Sequence, residues 1–243
     1  MTAARTAATA RRVVQQLQHD HRTVALILVV PCVLMGLLAW MLSSADFNQY
    51  GAPLLGIFPL IVMFLTTSVA TLRERESGTL ERLLSMPIAK VDFVFGYALA
   101  FGLLGVVQAL VVSGLAVGPF GLDVAGPTWA LIVVAVVDAL LGTALGLFVS
   151  AFAKTEFQAV QFMPALILPQ LLLCGIVVPR DELPTVLRWV SDLLPMSYAV
   201  DAMTEVMTSS AVTAEFWLNV GIVALFMAVG LALGAGTLRR RTP

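Results

Sequence analysis

Between Thr23 and Leu42 the chain runs for 20 residues without a formal charge, and long apolar runs return five more times: Pro53–Leu72, Phe93–Val117, Thr128–Phe152 (interrupted by one acid, Asp138), Ala159–Val178 and Phe216–Leu238. As a helix, about 20 residues reach across roughly 30 Å of hydrocarbon. No water is present there to satisfy a backbone N–H or C=O, so each run must close its own hydrogen bonds, and a helix does so. The sequence therefore predicts an all-α, polytopic membrane protein with six transmembrane helices over residues 23–238. A composition 59% hydrophobic and 12% charged excludes an ordinary soluble domain. The first run is longer than the 7–15 apolar residues of a cleaved signal segment, and five further runs follow it, so it is expected to be retained.

The segments between the runs carry the information about function. Residues 73–90 are the densest charge in the chain: Arg73, Glu74, Arg75, Glu76, Glu81, Arg82 and Lys90, with Asp92 just beyond. Such a stretch belongs in water. Within it Gly78 can end an incoming helix, Thr79 can cap a new one, and Pro87 disfavours helix at Met86. Leu80, Leu83 and Leu84 then share a face that Glu81 and Arg82 avoid, the pattern of a short amphipathic helix at the membrane surface.

Residues 1–22 carry Arg5, Arg11, Arg12 and Arg22, with Val13, Val14, Leu17 and Val24 spaced as an apolar stripe. This predicts an N-terminal helix lying in the interface plane. His19 and His21 flank Asp20, but a metal would need a third ligand and the two rings point to different helix faces, so a solvated helix end is expected and no metal site. Ser43–Tyr50 reads as a polar loop, Gly118–Pro127 as a turn, and Lys154–Glu156 as a second, very short polar loop. Cys32 and Cys174 lie inside apolar runs and read as small buried hydrophobes.

Three polar groups interrupt the spans. Asp138 is the one acid deep in an apolar run, and Gln161 and Gln170 share the fifth span with Pro164 and Pro169. Ionisable groups at that depth face a bundle interior or a water-filled path, so these three are the candidate pathway residues. For Asp138 a proton or cation site stands beside the plainer reading of a carboxyl bonded to a neighbouring helix. Residues 179–214 differ in kind, being broken by Pro179, Pro184 and Pro195. Leu183, Val186, Leu187, Val190 and Leu194 make one helical face. A second piece, capped by Ser197, carries Val200, Met203 and Met207 on one side and Asp201 and Glu205 on the other. Two such amphipathic pieces are expected to dip into the outer leaflet without crossing it. Met196, Met203 and Met207 fit either a plastic binding surface or ordinary packing.

Orientation follows from the basic residues. Four precede Val24, four lie in 73–90, Lys154 is one, and Arg239, Arg240 and Arg241 close the chain, twelve of the 14. The positive-inside rule puts both termini and the 73–90 loop in the cytoplasm, with 239–243 as a basic tail. No HExxH, no GxSxG and no P-loop is present; Lys154-Thr155 lacks the glycines whose amides would cradle a phosphate. The chain is not expected to be an enzyme, nor to bind nucleic acid.

The run RERESGTLERLLSMPIAK at 73–90 resembles the cytoplasmic loop of ABC-2 type transporter permeases, through Glu74, Arg75, Glu76, Gly78, Thr79, Leu80, Glu81, Leu83, Leu84, Pro87 and Ile88. A second stretch, Gly175–Ala202, is similar to the segment after the fifth span of that family, through Gly175, Pro179, Leu183, Pro184, Leu194, Pro195, Tyr198 and Ala202. Within the family the chain looks closest to bacterial drug and lipid exporter permeases of the daunorubicin-resistance kind. The resemblance implies the transmembrane subunit of an ATP-binding cassette exporter in the bacterial cytoplasmic membrane. Its partners would be a second permease subunit (identical or paralogous), ABC ATPase subunits, membrane lipid and a hydrophobic or amphipathic small-molecule substrate. ATP and magnesium would be held by the ATPase, with no cofactor in this chain. Thr79–Met86 would form a coupling helix seated on the ATPase, with Arg75, Glu76, Gly78, Thr79, Leu80, Glu81, Leu83, Leu84 and Pro87 as the coupling residues, Lys154 and Glu156 a smaller contact, and Pro179, Leu183, Pro184, Pro195 and Tyr198 an outer re-entrant segment. The rival expectation is a proton-coupled secondary transporter working through Asp138.

Overall fold

The computed structural model describes residues 3–76 and 90–237. Their elements, in order, are α1 (Ala3–His19), α2 (His21–Met41), α3 (Ser44–Glu76), α4 (Lys90–Val117), α5 (Thr128–Ser150), α6 (Glu156–Leu173), a 3-10 turn (Arg180–Glu182), α7 (Thr185–Asp192), α8 (Pro195–Thr208) and α9 (Ala214–Thr237). Among the described residues there is no strand, and α2 to α6 with α9 are six helices long and apolar enough to cross a membrane.

Burial sorts the spans into inner and outer. In the most apolar stretch of α3 and of α5, 61% of residues are buried; in α2 and in α6 only 17% are. The inner pair is held together by what its sequence lacks. Gly142 of α5 sits so close to the α3 backbone that a Cβ would collide with the Leu60 carbonyl, and a Cβ on Gly146 would lie 2.6 Å from the Phe64 carbonyl. Gly56 in turn makes room for the Asp138 carboxyl. The three contacts, 56 with 138, 60 with 142 and 64 with 146, advance by four on both helices, so α3 and α5 run parallel along a small-residue ridge. The helix α9 continues this packing: a Cβ on Gly230 would lie 3.5 Å from Ala144 and one on Gly234 3.5 Å from Phe148.

The outer helix α2 is fixed differently. Pro31 lies inside it and has no N–H for the Ile27 carbonyl four residues back. Gln108 of α4, fully buried, donates its Nε2 to that carbonyl at 2.7 Å. A side chain of the third span thus replaces a rung missing from the first, as hydrocarbon requires.

Several boundaries differ from the sequence expectation, each for a local reason. The polar loop expected at Ser43–Tyr50 is helix from Ser44, because Ser43 accepts from Asp46 N at 3.2 Å and donates to the Asp46 carboxylate at 2.6 Å, a reciprocal cap. The helix α3 is consequently 33 residues, about 50 Å long. The fifth span ends at Leu173 rather than Val178, since Gly175 turns the chain with φ of +99°, open to glycine and strained for other residues. The second outer piece begins at Pro195, which needs no N–H in a first turn; Ser197 does not cap it and instead meets Ser191 at 3.0 Å. Val24 belongs to α2, because Asp20 separates the first two helices and accepts from Thr23 N as the cap of the second.

Candidate functional site

The amino-terminal helix is locked to the base of the bundle. Thr6, Thr9 and Val13 form its buried side against α4. A Cβ on Gly96 would lie 2.6 Å from Thr9, so the two helices touch at that glycine. Thr6 Oγ1 donates to Asp92 at 3.2 Å, Arg12 donates to the Tyr97 hydroxyl at 2.9 Å, and Gln16 donates to Glu74 at 3.1 Å while Arg12 stands 3.8 Å from it. One helix therefore grips the end of α3 and the start of α4, the two helices that flank residues 77–89.

The same base carries a second tie. Arg73 forks onto Glu156 with hydrogen bonds of 2.6 and 2.9 Å, joining the end of α3 to the start of α6. Arg75 donates to the carbonyls of Ser150 and Ala153, where α5 has run out of its own donors. Thr155 caps α6 through Gln158 N at 3.2 Å, and Gln158 returns a bond to Lys154 N at 2.8 Å. Of the expected coupling residues, Arg75 and Glu76 are thus at this base, Glu76 exposed. Gly78, Thr79, Leu80, Glu81, Leu83, Leu84 and Pro87 lie outside the described residues, as do 239–243. Lys154 is exposed, and Glu156 is engaged by Arg73.

The candidate pathway residues separate. Asp138 is 1% exposed in the seam of α3 and α5, its carboxyl against Gly56 and near the Met203 methyl of α8. Its Oδ1 has no hydrogen-bond partner. Gln170 is buried; it donates to Leu166 O at 2.9 Å and accepts from Met196 N at 3.4 Å. Gln161 faces outward from α6. Asp138 and Gln170 share a neighbour, α8, which meets one through Met203 and the other through Met196.

The outer segment is organised by a residue the sequence did not single out. Arg180 donates to Ser191 Oγ at 3.1 Å, pairs with both Asp192 and Asp201, and lies over the Tyr198 ring at 5.4 Å. Ser191, fully buried, donates to Leu173 O at 2.8 Å, and Tyr198 donates to Asp192 O at 2.6 Å. Burial pushes the Asp201 carboxyl above its usual range, with Arg180 opposing. Of the expected residues of this segment, Tyr198 is part of the Arg180 hub, whereas Pro179, Leu183, Pro184 and Pro195 bound the short helices that carry it. The four tryptophans, Trp40, Trp129, Trp189 and Trp217, all lie toward this end, with Trp129 and Trp217 stacked at 6.0 Å, as in an interfacial aromatic belt. Among the described residues no group of His, Cys, Asp and Glu could hold a metal.

A family model described as ABC-2 type transporter matches residues 5–208. The chain belongs to the ABC-2 type transporter family. With its six spans it is a multi-pass membrane protein. It is 25% identical over 213 residues, 87% of this chain, to the linearmycin resistance permease protein LnrN of Bacillus subtilis, and 25% identical over 179 residues, 73% of the chain, to a probable multidrug ABC transporter permease, YbhR, of Escherichia coli. A shorter match, 30% identical over 141 residues and 58% of the chain, is to ABC transporter G family member 20 of Dictyostelium discoideum. The chain spans only part of these relatives: 55% of the first, 49% of the second and 19% of the third.

Proposed function

We propose that the chain is the transmembrane permease subunit of an ATP-driven exporter, with its base in the cytoplasm and its Arg180 hub outside, in a bacterial cytoplasmic membrane. Two such subunits form the path, and separate ATPase subunits that hold ATP and magnesium dock on the segment 77–89. The observation that carries this reading is the interlocked base. Movement imposed between the ends of α3 and α4 reaches α1 through Arg12 and Thr6, α5 through Arg75, and α6 through Arg73, so a push at one segment moves several spans as a body. The poorly buried helices α2 and α6 leave long apolar faces for lipid or for the second subunit. The names of two bacterial relatives, linearmycin resistance and multidrug, support a hydrophobic or amphipathic substrate here.

The direct test is co-purification with an ABC ATPase encoded beside this chain, comparing the native protein with one carrying a Gly-Ser linker in place of residues 79–86. A complex that forms with the native chain and is lost with the linker is the expected result; no complex with the native chain overturns the reading. A second reading, proton coupling, rests on the buried Oδ1 of Asp138 that has no partner. It predicts transport without any ATPase, abolished in Asp138→Asn.

A further inference from the structure

A cleft of about 510 Å³ opens at the base between α1, α2, α3 and α4, apart from Asp138 and from the outer segment. Its walls and floor differ in chemistry. Leu26, Leu65, Val69 and Phe101 line the part that lies within the spans, and Leu26 at the rim is 61% exposed. The floor is polar, with Asp20, Arg73 and Glu74. Leu65 stands eight residues above Arg73 on α3, so the cleft runs about 12 Å along the helix from the charged level into the apolar one. That size and gradient fit one amphiphile held with its head at the base and its body between helices.

The charges choose the head. Of the charged groups on the floor, Arg73 is engaged by Glu156 through two hydrogen bonds, and Glu74 accepts from Gln16 with the Arg12 guanidinium 3.8 Å away, which leaves Asp20 as the carboxylate whose hydrogen-bond donors, Thr23 N and Oγ1, are neutral. Arg22, next to His21 in the chain, is not among the residues lining the cleft. Asp20 is set by its role as a helix cap: Thr23 N and Thr23 Oγ1 both donate to it, which holds the carboxyl below the usual range and keeps it ionised at neutral pH. We infer that this cleft binds a cationic amphiphile, its amine beside Asp20 and its apolar body against Leu26, Leu65 and Phe101. A cationic amphiphile is also the class that an anionic inner leaflet concentrates next to the opening. This goes beyond the exporter reading and rests on it only for the leaflet from which the ligand arrives.

The test measures binding to the full chain alone, in phosphatidylcholine nanodiscs without any ATPase, so that its outcome is separate from the docking experiment. The probes are a dansyl-labelled long-chain primary amine and the dansyl-labelled fatty acid of equal chain length. Two variants are compared. Asp20→Asn keeps a good helix cap and takes away the charge. Thr66→Trp fills the cleft from α3, where Thr66 otherwise bonds only to Val62 O one turn back. Saturable binding of the amine that exceeds the acid's, falls about three- to fivefold in Asp20→Asn and disappears in a folded Thr66→Trp, is the expected result. Equal affinity for the two probes, or amine binding untouched by Asp20→Asn, overturns the inference even if Thr66→Trp does not fold. Non-saturable uptake equal to that of empty nanodiscs overturns it as well.

Discussion

Asp138 and Asp201 are both acids on helices that face the protein interior, and the fold treats them in opposite ways. Asp201, at the end of the bundle away from the α1 base, is given a cation: Arg180 reaches across from the turn after α6 and takes Asp192 and Tyr198 along with it. Asp138, deep in the bundle, is given space, a slot where Gly56 has no side chain and which the Met203 methyl also borders. The difference follows from depth. Near water a long guanidinium can be partly desolvated and still be held by several acceptors, whereas at mid-membrane a second charge would itself need to be buried. Of these two acids, the one at the rim is held by a partner and the one in the middle is accommodated by shape.

That contrast can be broken most forcefully at Gly56. A leucine there must displace the Asp138 carboxyl and separate α3 from α5, and the cost is expected at or above the upper end of the about 1–3 kcal/mol of an overpacked core. It would be read as loss of a folded peak in size-exclusion chromatography. Next in size is Arg180→Gln, which strands Asp201. A fully buried pair broken on one side costs about 3–5 kcal/mol; with the Asp201 side chain 38% exposed, about 1–2 kcal/mol is expected in a thermal melt. The sign with pH is definite. Asp201 already titrates above the usual carboxylate range, and loss of Arg180 raises it further. The deficit of Arg180→Gln is therefore full above that folded value and shrinks as pH falls through it, because protonation removes the unpaired charge. A deficit that grows on acidification would contradict the hub.

The remaining two changes sharpen the contrast from the quiet side. Asp138→Asn keeps the shape that fills the slot, so stability is expected within about 1 kcal/mol of native, and ATP-driven transport is expected to persist. Lost transport in a well-folded Asp138→Asn would move the balance to the proton reading. Arg73→Gln, finally, removes an ion pair whose side chains are 60% and 43% exposed. Its effect is expected at about 0.5 kcal/mol or less and should fade in high salt, because apolar packing of Leu72 and Val69 against Ala159 and Phe162 also joins α3 to α6.

The six spans were legible because a 20-residue uncharged run has few ways to be stable in a bilayer. Their ends were less so. Ser43 and Asp46 make a helix start that sequence alone could have found, but beside Asn48, Gln49 and Tyr50 they read as a loop. On α1 the aliphatic residues Val13, Val14 and Leu17 do pack against the bundle, but the buried side extends to Thr6 and Thr9, which meet Gly96 where only small groups fit and which no aliphatic pattern marks. Asp138 stood out as a lone acid, yet nothing in the sequence ties it to Gly56, 82 positions earlier. Nothing local marks Arg180, which is one of the two basic residues outside the twelve that set the orientation. Its role depends on Asp192, Asp201 and Tyr198 arriving from two later helices, which no local pattern encodes.

The bond from Gln108 to the Ile27 carbonyl has a consequence for the order of assembly. The chain is made from its amino end, so α2 meets the membrane while α4 is still unmade, and Pro31 leaves one of its carbonyls unanswered at that stage. A bare carbonyl in hydrocarbon costs several kcal/mol. The first span is thus incomplete on its own, and it reaches its settled state only when the third, arriving later, supplies the donor that its own sequence withholds.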